Sequence, residues 1–323
     1  MTDLDQVQFV SLEQLVSEGH RYRALKGLVD WKVLCRPLAE LDNQGNVGAD
    51  GYGIVRLFQM LLLQWIDDLS DRELAEHLSD SNAARWFCGV GLTDKTPHFS
   101  LFSRVRSRIG TQRLAEVFNA LREMLKQRGL MKEIFSFVDS SVLIAKAQLW
   151  KERDAAIALK LEKLNNQTVA AVAADPDARF GCKGKDQYWY GFKEHVSVDM
   201  QSGLINKIAV TPANVTDAEG LSHVCPKQGA AYMDKGYCTR PATTELKRRG
   251  VHDGAIRKNN MHDKNRDKDR WISSLRATFE RVFSKRPRRV RYRGVAKNQF
   301  GAFFRAIGFN LERTLTLGLS TLQ

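Results

Sequence analysis

Residues 129–145, GLMKEIFSFVDSSVLIA, are where the chain changes character. Gly129 reads as a helix stop, and the apolar run behind it, from Ile134 to Ile144, has the density and length of a strand. Asp139 stands inside that run. An ionised carboxylate in a half-buried strand costs free energy unless a cation or hydrogen-bond donors compensate it. The stretch predicts the start of a sheet domain and asks what sits opposite Asp139.

Towards the C-terminus, residues 145–185 are polar, alanine-rich and charged, and read as a helix or a loosely ordered excursion with little strand pattern. Strands resume with YWYGFKEHVSVDM (188–200) and GLINKIAVTPA (203–213), with Ser202 and Gly203 as the hairpin turn. A helix from Asp217, a short strand in AAYMDKGY (230–237), a helix through Glu245 to Arg249 and a strand in VHDGAIRK (251–258) follow. A helix from about Trp271 and an apolar C-terminal helix from Phe300 close the chain. Antiparallel strands followed by alternating helices and strands predict an α/β domain with a mixed sheet.

Upstream, residues 10–130 read almost entirely as helix, with apolar positions three and four apart. The clearest elements run from Tyr52 to Asp68 and from Leu114 to Leu125, and Ser70 with Glu73 forms a capping box. After the turn TDKTPHFS comes LFSRVRSRIG, which crowds Arg104, Arg106 and Arg108 into one segment. Short helices with late arginines suit a helix-turn-helix set against DNA; a helical bundle with a solvated basic face is the other reading. The division expected is 1–130, an all-α domain for DNA binding or assembly, and 131–323, a catalytic sheet domain.

Composition bounds the rest. Among 323 residues, 50 Lys and Arg against 37 Asp and Glu give a net charge of +13, which makes nucleic acid the first partner to test. A 43% hydrophobic content excludes disorder and fibrous folds. The most apolar stretch, Leu57 to Ile66, is broken by Gln59 and Gln64 and is far short of the ~20 residues a membrane span needs. MTDLDQVQFV lacks the basic start and apolar run of a secretory signal, so a cytoplasmic, nucleoid-associated location is expected. Five cysteines without a CxxC pair argue against disulfides or a zinc ribbon; a cluster of His223, Cys225 and Cys238 is the weak alternative.

Two more acids stand out beside Asp139. Asp234 ends a short apolar strand that needs no charge for packing, and Glu280 lies on the helix WISSLRATFERVF, one turn from Arg276. Gathered together, three carboxylates would repel unless they hold hard divalent cations through oxygen, for which Mg²⁺ is the natural choice. Two such ions roughly 3.5–4 Å apart suit in-line phosphoryl transfer. Each acid also has a local reading: Asp139 capping a turn with Ser140 and Ser141, Asp234 pairing with Lys235, Glu280 bridging to Arg276.

The order FVDSS, YGFKEHVSVD with TPANVTDAE, YMDKGY, then LRATFERVF followed by RVRYRGVAKN and FNLERTL resembles DDE transposases of the insertion-sequence-five group, within the insertion-sequence-four-like superfamily. The likeness spans the catalytic half. It implies a ribonuclease-H-like fold with Asp139, Asp234 and Glu280 as catalytic and metal-binding triad, two Mg²⁺ ions with Mn²⁺ able to substitute, and double-stranded DNA, both transposon ends and target, as substrate. It also implies a homodimer on DNA, with no membrane or small-molecule partner. The family's last motif, Y-x2-R-x3-E-x6-K, is half matched: Arg276 and Glu280 fit, whereas Ser273 and Pro287 stand at the tyrosine and lysine positions. That departure keeps open a catalytically inactive DNA-binding remnant or repressor of the element; a metal-dependent DNA nuclease is a further rival.

From Arg281 to Arg293, seven of thirteen residues are Lys or Arg and none is acidic, so the segment suits a phosphate backbone. Lys285, Arg286, Arg288, Arg289 and Arg291, with Arg276, are the DNA contacts expected there. Lys193 and His195 share one strand face and are candidates for steadying phosphate, with a buried structural histidine as the alternative. Asn214, Thr216 and Asp217 read most simply as a turn and helix start, with a supporting contact to the site as the other option.

Overall fold

The computed structural model describes residues 9–42, 51–146, 165–183, 187–258, 261, 265–284, 289–318 and 322. It divides into two compact units, Met1–Leu121 with Leu311–Gln323, and Arg122–Asn310.

The first unit is helical among its described residues. It comprises α1 (Leu12–Leu15), α2 (Arg21–Leu28), α3 (Trp31–Leu34), a 3₁₀ turn (Arg36–Leu41), α4 (Ile54–Ile66), α5 (Asp71–Asp80), α6 (Asn82–Cys88) and most of α7 (Ser100–Gln127). α4 is its spine, with Phe58, Leu61, Leu62 and Leu63 fully buried. Gln59 and Gln64 are buried too, and the Gln64 amide is satisfied by donating to Asp71 Oδ1 at 2.6 Å. The Ser70–Glu73 capping box starts α5 as expected. Gly110, at φ 67°, breaks α7 because only glycine takes that backbone without strain.

The second unit is built on a mixed sheet of β1 (Phe135–Ile144), β2 (Arg179–Lys183), β3 (Gln187–Asp199), β4 (Ile205–Pro212), β5 (Ala230–Met233) and β6 (His252–Ala255). β1 is central. It pairs antiparallel with β3 and parallel with β5; β4 continues antiparallel beyond β3, and β6 continues parallel beyond β5. The order β4-β3-β1-β5-β6 is the ribonuclease-H-like mixed sheet expected. β2 is a finding that the excursion reading of 145–185 passed over: five residues beside the first residues of β3, after a short helix α8 (Val169–Val172). With a single large apolar residue, Phe180, and a glycine, RFGCK carries no alternation to announce a strand.

Helices α9 (Asp217–Val224) and α10 (Arg240–Arg249) cover one face through Val138, Leu221, Val224, Met233, Tyr237 and Leu246. Each such large side chain contributes ~1.5–3 kcal/mol of burial. α11 (Arg266–Ser284) meets the other face, where Trp271 stacks edge-on against Tyr232 at 5.3 Å. α12 (Val295–Thr316) guards the β4 edge: the Asn310 side chain exchanges bonds with the Ile205 N–H and C=O, and Gln299 does so with the Val210 N–H and Ile208 C=O. Two amides thereby stand in for a missing neighbouring strand.

The second unit begins at Arg122, earlier than residue 131. The reason lies in a buried tie: Arg122 donates to Asn206 Oδ1 at 2.6 and 3.0 Å, and both Arg122 and Lys126 pair with Glu133. The last turn of α7 is thus bound to the residues that precede β1 and to β4.

Candidate active site

The β1–β5 ladder ends at Val138 opposite Met233, so the next residues of the two strands are Asp139 and Asp234. Adjacent strands lie about 4.8 Å apart, which makes these carboxylates neighbours although 95 positions separate them in sequence. Each is fixed by an N–H that follows it. Asp139, 9% exposed, accepts from the Ser140 N–H at 2.8 Å, and Asp234 caps the 3₁₀ turn Lys235–Tyr237 by accepting from the Gly236 N–H at 2.7 Å.

A third acid lies nearby, bonded to Ser140, the residue after Asp139. Asp217 opens α9, whose N-cap Thr216 and Glu219 form a capping box without it. One oxygen, Oδ1, accepts from the Ser140 hydroxyl and from Lys193 Nζ, each at 2.9 Å. The other faces Gly236: a Cβ there would lie 2.9 Å from Asp234 Oδ1 and 3.6 Å from Asp217 Oδ2. Burial would raise the Asp217 pKa, but the Lys193 and Ser140 bonds outweigh it and hold the carboxyl below its ordinary range. Beneath lies Tyr237, fully buried, whose phenol is pushed well above its ordinary value by burial and by the charges of Asp217, Asp139 and Asp234.

Glu280 and Arg276 are carried by the backbone of α11. By strand alternation Asp139 points to the face bearing Phe137 and Tyr232, and Tyr232 is the residue that α11 packs against. The side chains of Glu280 and Arg276, and residues Lys285, Arg286 and Arg288, lie outside the described residues. The basic segment nevertheless reappears beside β1, where the Val290 N–H donates to the Ile144 carbonyl at 2.9 Å and Arg289 bridges Ile144. Arg289 is exposed and Arg291 half-buried.

The remaining candidates sort differently. β3 brings Lys193 and His195 alongside β1, opposite Val142 and Ser140. Lys193 is committed to Asp217. His195 is fully buried, shares a hydrogen bond with the Thr211 hydroxyl at 2.9 Å and packs against Gly220, where a Cβ would fall 2.1 Å from the ring. Burial lowers its pKa to about 4, so the ring is neutral at pH 7; this is the buried structural histidine, out of reach of a phosphate. Arg106 forms a two-bond fork with Asp71 at 2.6 and 2.7 Å inside the first unit, and Arg108 donates to the Leu41 carbonyl. Arg104 is exposed.

Among the described residues no group of three or more His, Cys, Asp and Glu side chains is arranged to hold a metal, His223, Cys225 and Cys238 included. What Asp139 and Asp234 supply is a pair of hard oxygen donors just past the end of the β1–β5 ladder, the donor chemistry that Mg²⁺ and Mn²⁺ take. Among the described residues no helix is long and apolar enough to cross a membrane.

Sequence reasoning undervalued Asp217, because an acid at a helix start is ordinary. Its signal was the redundancy of the capping box two residues on. Tyr237 gave no signal beyond closing YMDKGY. Glu194, beside His195, was not singled out; it is fully buried and paired with Arg305 of α12 at 2.6 Å.

Comparison with known proteins gives this geometry a lineage. Residues 10–108 match the family described as Transposase domain (DUF772), and residues 138–311, more than half of the chain, match the family described as Transposase DDE domain. The transposase for insertion sequence element IS1106 of Neisseria meningitidis serogroup B is 27% identical over 186 residues, 55% of this chain, and the match spans 63% of that relative's length. A solved Mos1 transposase paired-end complex with left transposon end aligns over 84% of this chain and 79% of that one at 10% identity and a TM-score of 0.18. Domains of the matched family generally use divalent metal ions. The matched segment opens at Val138, the residue before Asp139, and closes within α12, and by that match the chain belongs to the Transposase DDE domain family.

Proposed function

We propose that this protein is a DNA transposase of an insertion sequence, of the insertion-sequence-five group, that cuts at the ends of its element and joins the freed 3′-ends to target DNA. The observation that carries the reading is the placement of Asp139 and Asp234 side by side beyond the β1–β5 ladder, on the sheet side where α11 carries Glu280. With Glu280 they would hold two Mg²⁺ or Mn²⁺ ions, which supply an activated water or 3′-hydroxyl and neutralise charge on the scissile phosphate.

The chain's own contributions follow from the fold. Asp139 and Asp234 are held by the Ser140 and Gly236 N–H groups, so little reorganisation separates the free site from a loaded one. Arg289, exposed beside the end of β1, and the neighbouring basic residues neutralise phosphates along the strand that leads to Asp139. Each cut forms a bond from a water oxygen to phosphorus and releases the 3′-oxygen as a hydroxyl; in joining, that 3′-oxygen gives up its proton and bonds to a target phosphorus as the target's own P–O3′ bond breaks and leaves a target 3′-hydroxyl. Because two ends are handled together, the working form is a dimer on DNA.

The test is cleavage and joining by the full chain on duplexes carrying the flanking ends, with Mg²⁺ and with Mn²⁺. Asp139→Asn is expected to lose both steps by more than about a hundredfold while its footprint on the ends stays. Binding without nicking by the wild type would identify an inactive remnant, and nicking without joining a nuclease; either overturns the reading.

A further inference from the structure

We propose that Asp217 is a positioning residue of this site, a carboxylate that fixes Ser140, the residue whose N–H holds Asp139, beside the turn that holds Asp234. The inference rests on the function proposed above and deepens it.

On the β1 side, Asp217 Oδ1 receives the Ser140 hydroxyl, and the same serine's N–H donates to Asp139 Oδ1 at 2.8 Å. Ser140 is thus held at its side chain by Asp217 and holds Asp139 with its backbone. On the β5 side, Asp217 Oδ2 would lie 3.6 Å from a Cβ placed on Gly236, so the carboxylate borders the residue whose N–H donates to Asp234 Oδ1 at 2.7 Å. Asp217 is therefore bonded to the residue that orients Asp139 and borders the residue that orients Asp234. Lys193 completes the arrangement from β3: its ammonium, 13% exposed, shares Oδ1 with Ser140 and fixes the carboxylate's rotation.

Helix capping does not account for these contacts. Thr216 and Glu219 already satisfy the first turn of α9, and both donors to Asp217 come from other strands. Nor does packing require an acid: the side chain is 31% exposed, and a smaller polar residue would fill the same rim. A serine that must keep one orientation while a neighbouring carboxylate takes up a cation does require a strong, fixed acceptor, and an ionised carboxylate locked by a lysine is one. Partners that bond a metal ligand, as Ser140 bonds Asp139, typically change metal affinity or activity by roughly 10–100-fold, and Asp217 acts on the site through that partner.

The experiment measures Mn²⁺ binding to the full chain from the free-ion electron paramagnetic resonance signal, together with the Mn²⁺ concentration giving half-maximal cleavage. Asp217→Ala is expected to weaken both by about 10–100-fold, with end binding retained. Asp217→Asn, which keeps an oxygen for Ser140 but loses the charge that locks Lys193, should fall between Asp217→Ala and wild type. Ser140→Ala should weaken Mn²⁺ binding too, and combining it with Asp217→Ala should add little, because the two act along one path. If Asp217→Ala does not fold, Asp217→Asn and Ser140→Ala carry the test. Variants with lowered melting temperature but unchanged Mn²⁺ affinity and half-activating concentration would overturn the inference. A wild type that neither binds Mn²⁺ nor cuts DNA would overturn the functional reading instead, and this inference with it.

Discussion

Two points along β1 carry buried acid, one just ahead of the strand and one at its middle, where the β1–β5 ladder ends, and they treat it in opposite ways. Before the strand, Glu133 is 3% exposed and sits at φ 54°, a backbone that costs a non-glycine residue ~1–3 kcal/mol. It is held by Lys126 at 2.8 Å, by Arg122 at 3.4 Å and by the Lys227 N–H at 3.2 Å. Burial would raise its pKa, yet these partners keep it below the ordinary glutamate value. Further along the strand, Asp139 stands beside Asp234, and burial with the charges of Asp217, Asp139 and Asp234 drives the Tyr237 phenol up. Two cations close round one acid ahead of the strand; further along, Lys193 takes Asp217, while Asp139 and Asp234 stand as neighbours held by backbone N–H groups. Burial of charge alone therefore does not mark a functional site. A structural carboxylate is neutralised by its own fold, whereas a gathering of carboxylates anticipates a cation from outside.

Substitutions at the two points should separate cleanly. Asp234→Asn is expected to remove cleavage and joining by more than about a hundredfold and to leave the urea midpoint nearly unchanged, since it relieves repulsion among acids. Glu133→Ala should do the reverse: it strands Arg122 and Lys126 beside a buried gap and should cost ~3–5 kcal/mol, with the divalent-ion requirement unaltered. Because the folded-state pKa of Glu133 is depressed, its contribution is present above about pH 4.5 and is lost as pH falls through the folded value. Urea titrations of both variants with activity on an end duplex check the pair; a stability loss in Asp234→Asn as large as in Glu133→Ala would erase the distinction.

How far this was legible in the sequence differs between the two points. Asp139 and Asp234 announced themselves because each interrupts an apolar strand, and the hairpin at Ser202–Gly203 and the capping box at Ser70 follow local rules that the fold keeps. Glu133 did not, because it sits in the polar lead-in MKE, where an acid is unremarkable; its burial depends on Asn206 steering Arg122 from 84 positions away. Asp217 was seen as a helix start and is one; its bonds to Ser140 and Lys193 arise only when β3 pairs with β1. Arg106 shows the converse. In a run of arginines it reads as a DNA contact, yet Asp71 of α5 takes its guanidinium. Composition gives the amount of charge, and only tertiary pairing decides which charge remains for a partner.

The smallest expected effect probes what lies under the second point. His195 is the register partner of Ser140, is fully buried, and has its pKa lowered to about 4, first by burial and then by Lys193 and His223, against the opposing pull of Asp217. An unfolded histidine titrates near 6.5, so between these values the unfolded chain binds the extra proton and the folded one does not. Stability from this group is therefore complete above about pH 6.5 and declines as pH falls towards 4, by on the order of 3 kcal/mol at most. His195→Gln, which keeps a polar partner for Thr211 without titrating, should lack that component. The stability difference between wild type and variant, measured by urea unfolding at pH 7 and 4.5, should narrow at the lower pH. A difference that stays constant would mean that the ring takes up a proton in the folded state, and that the base of the second point admits a charge as readily as the first.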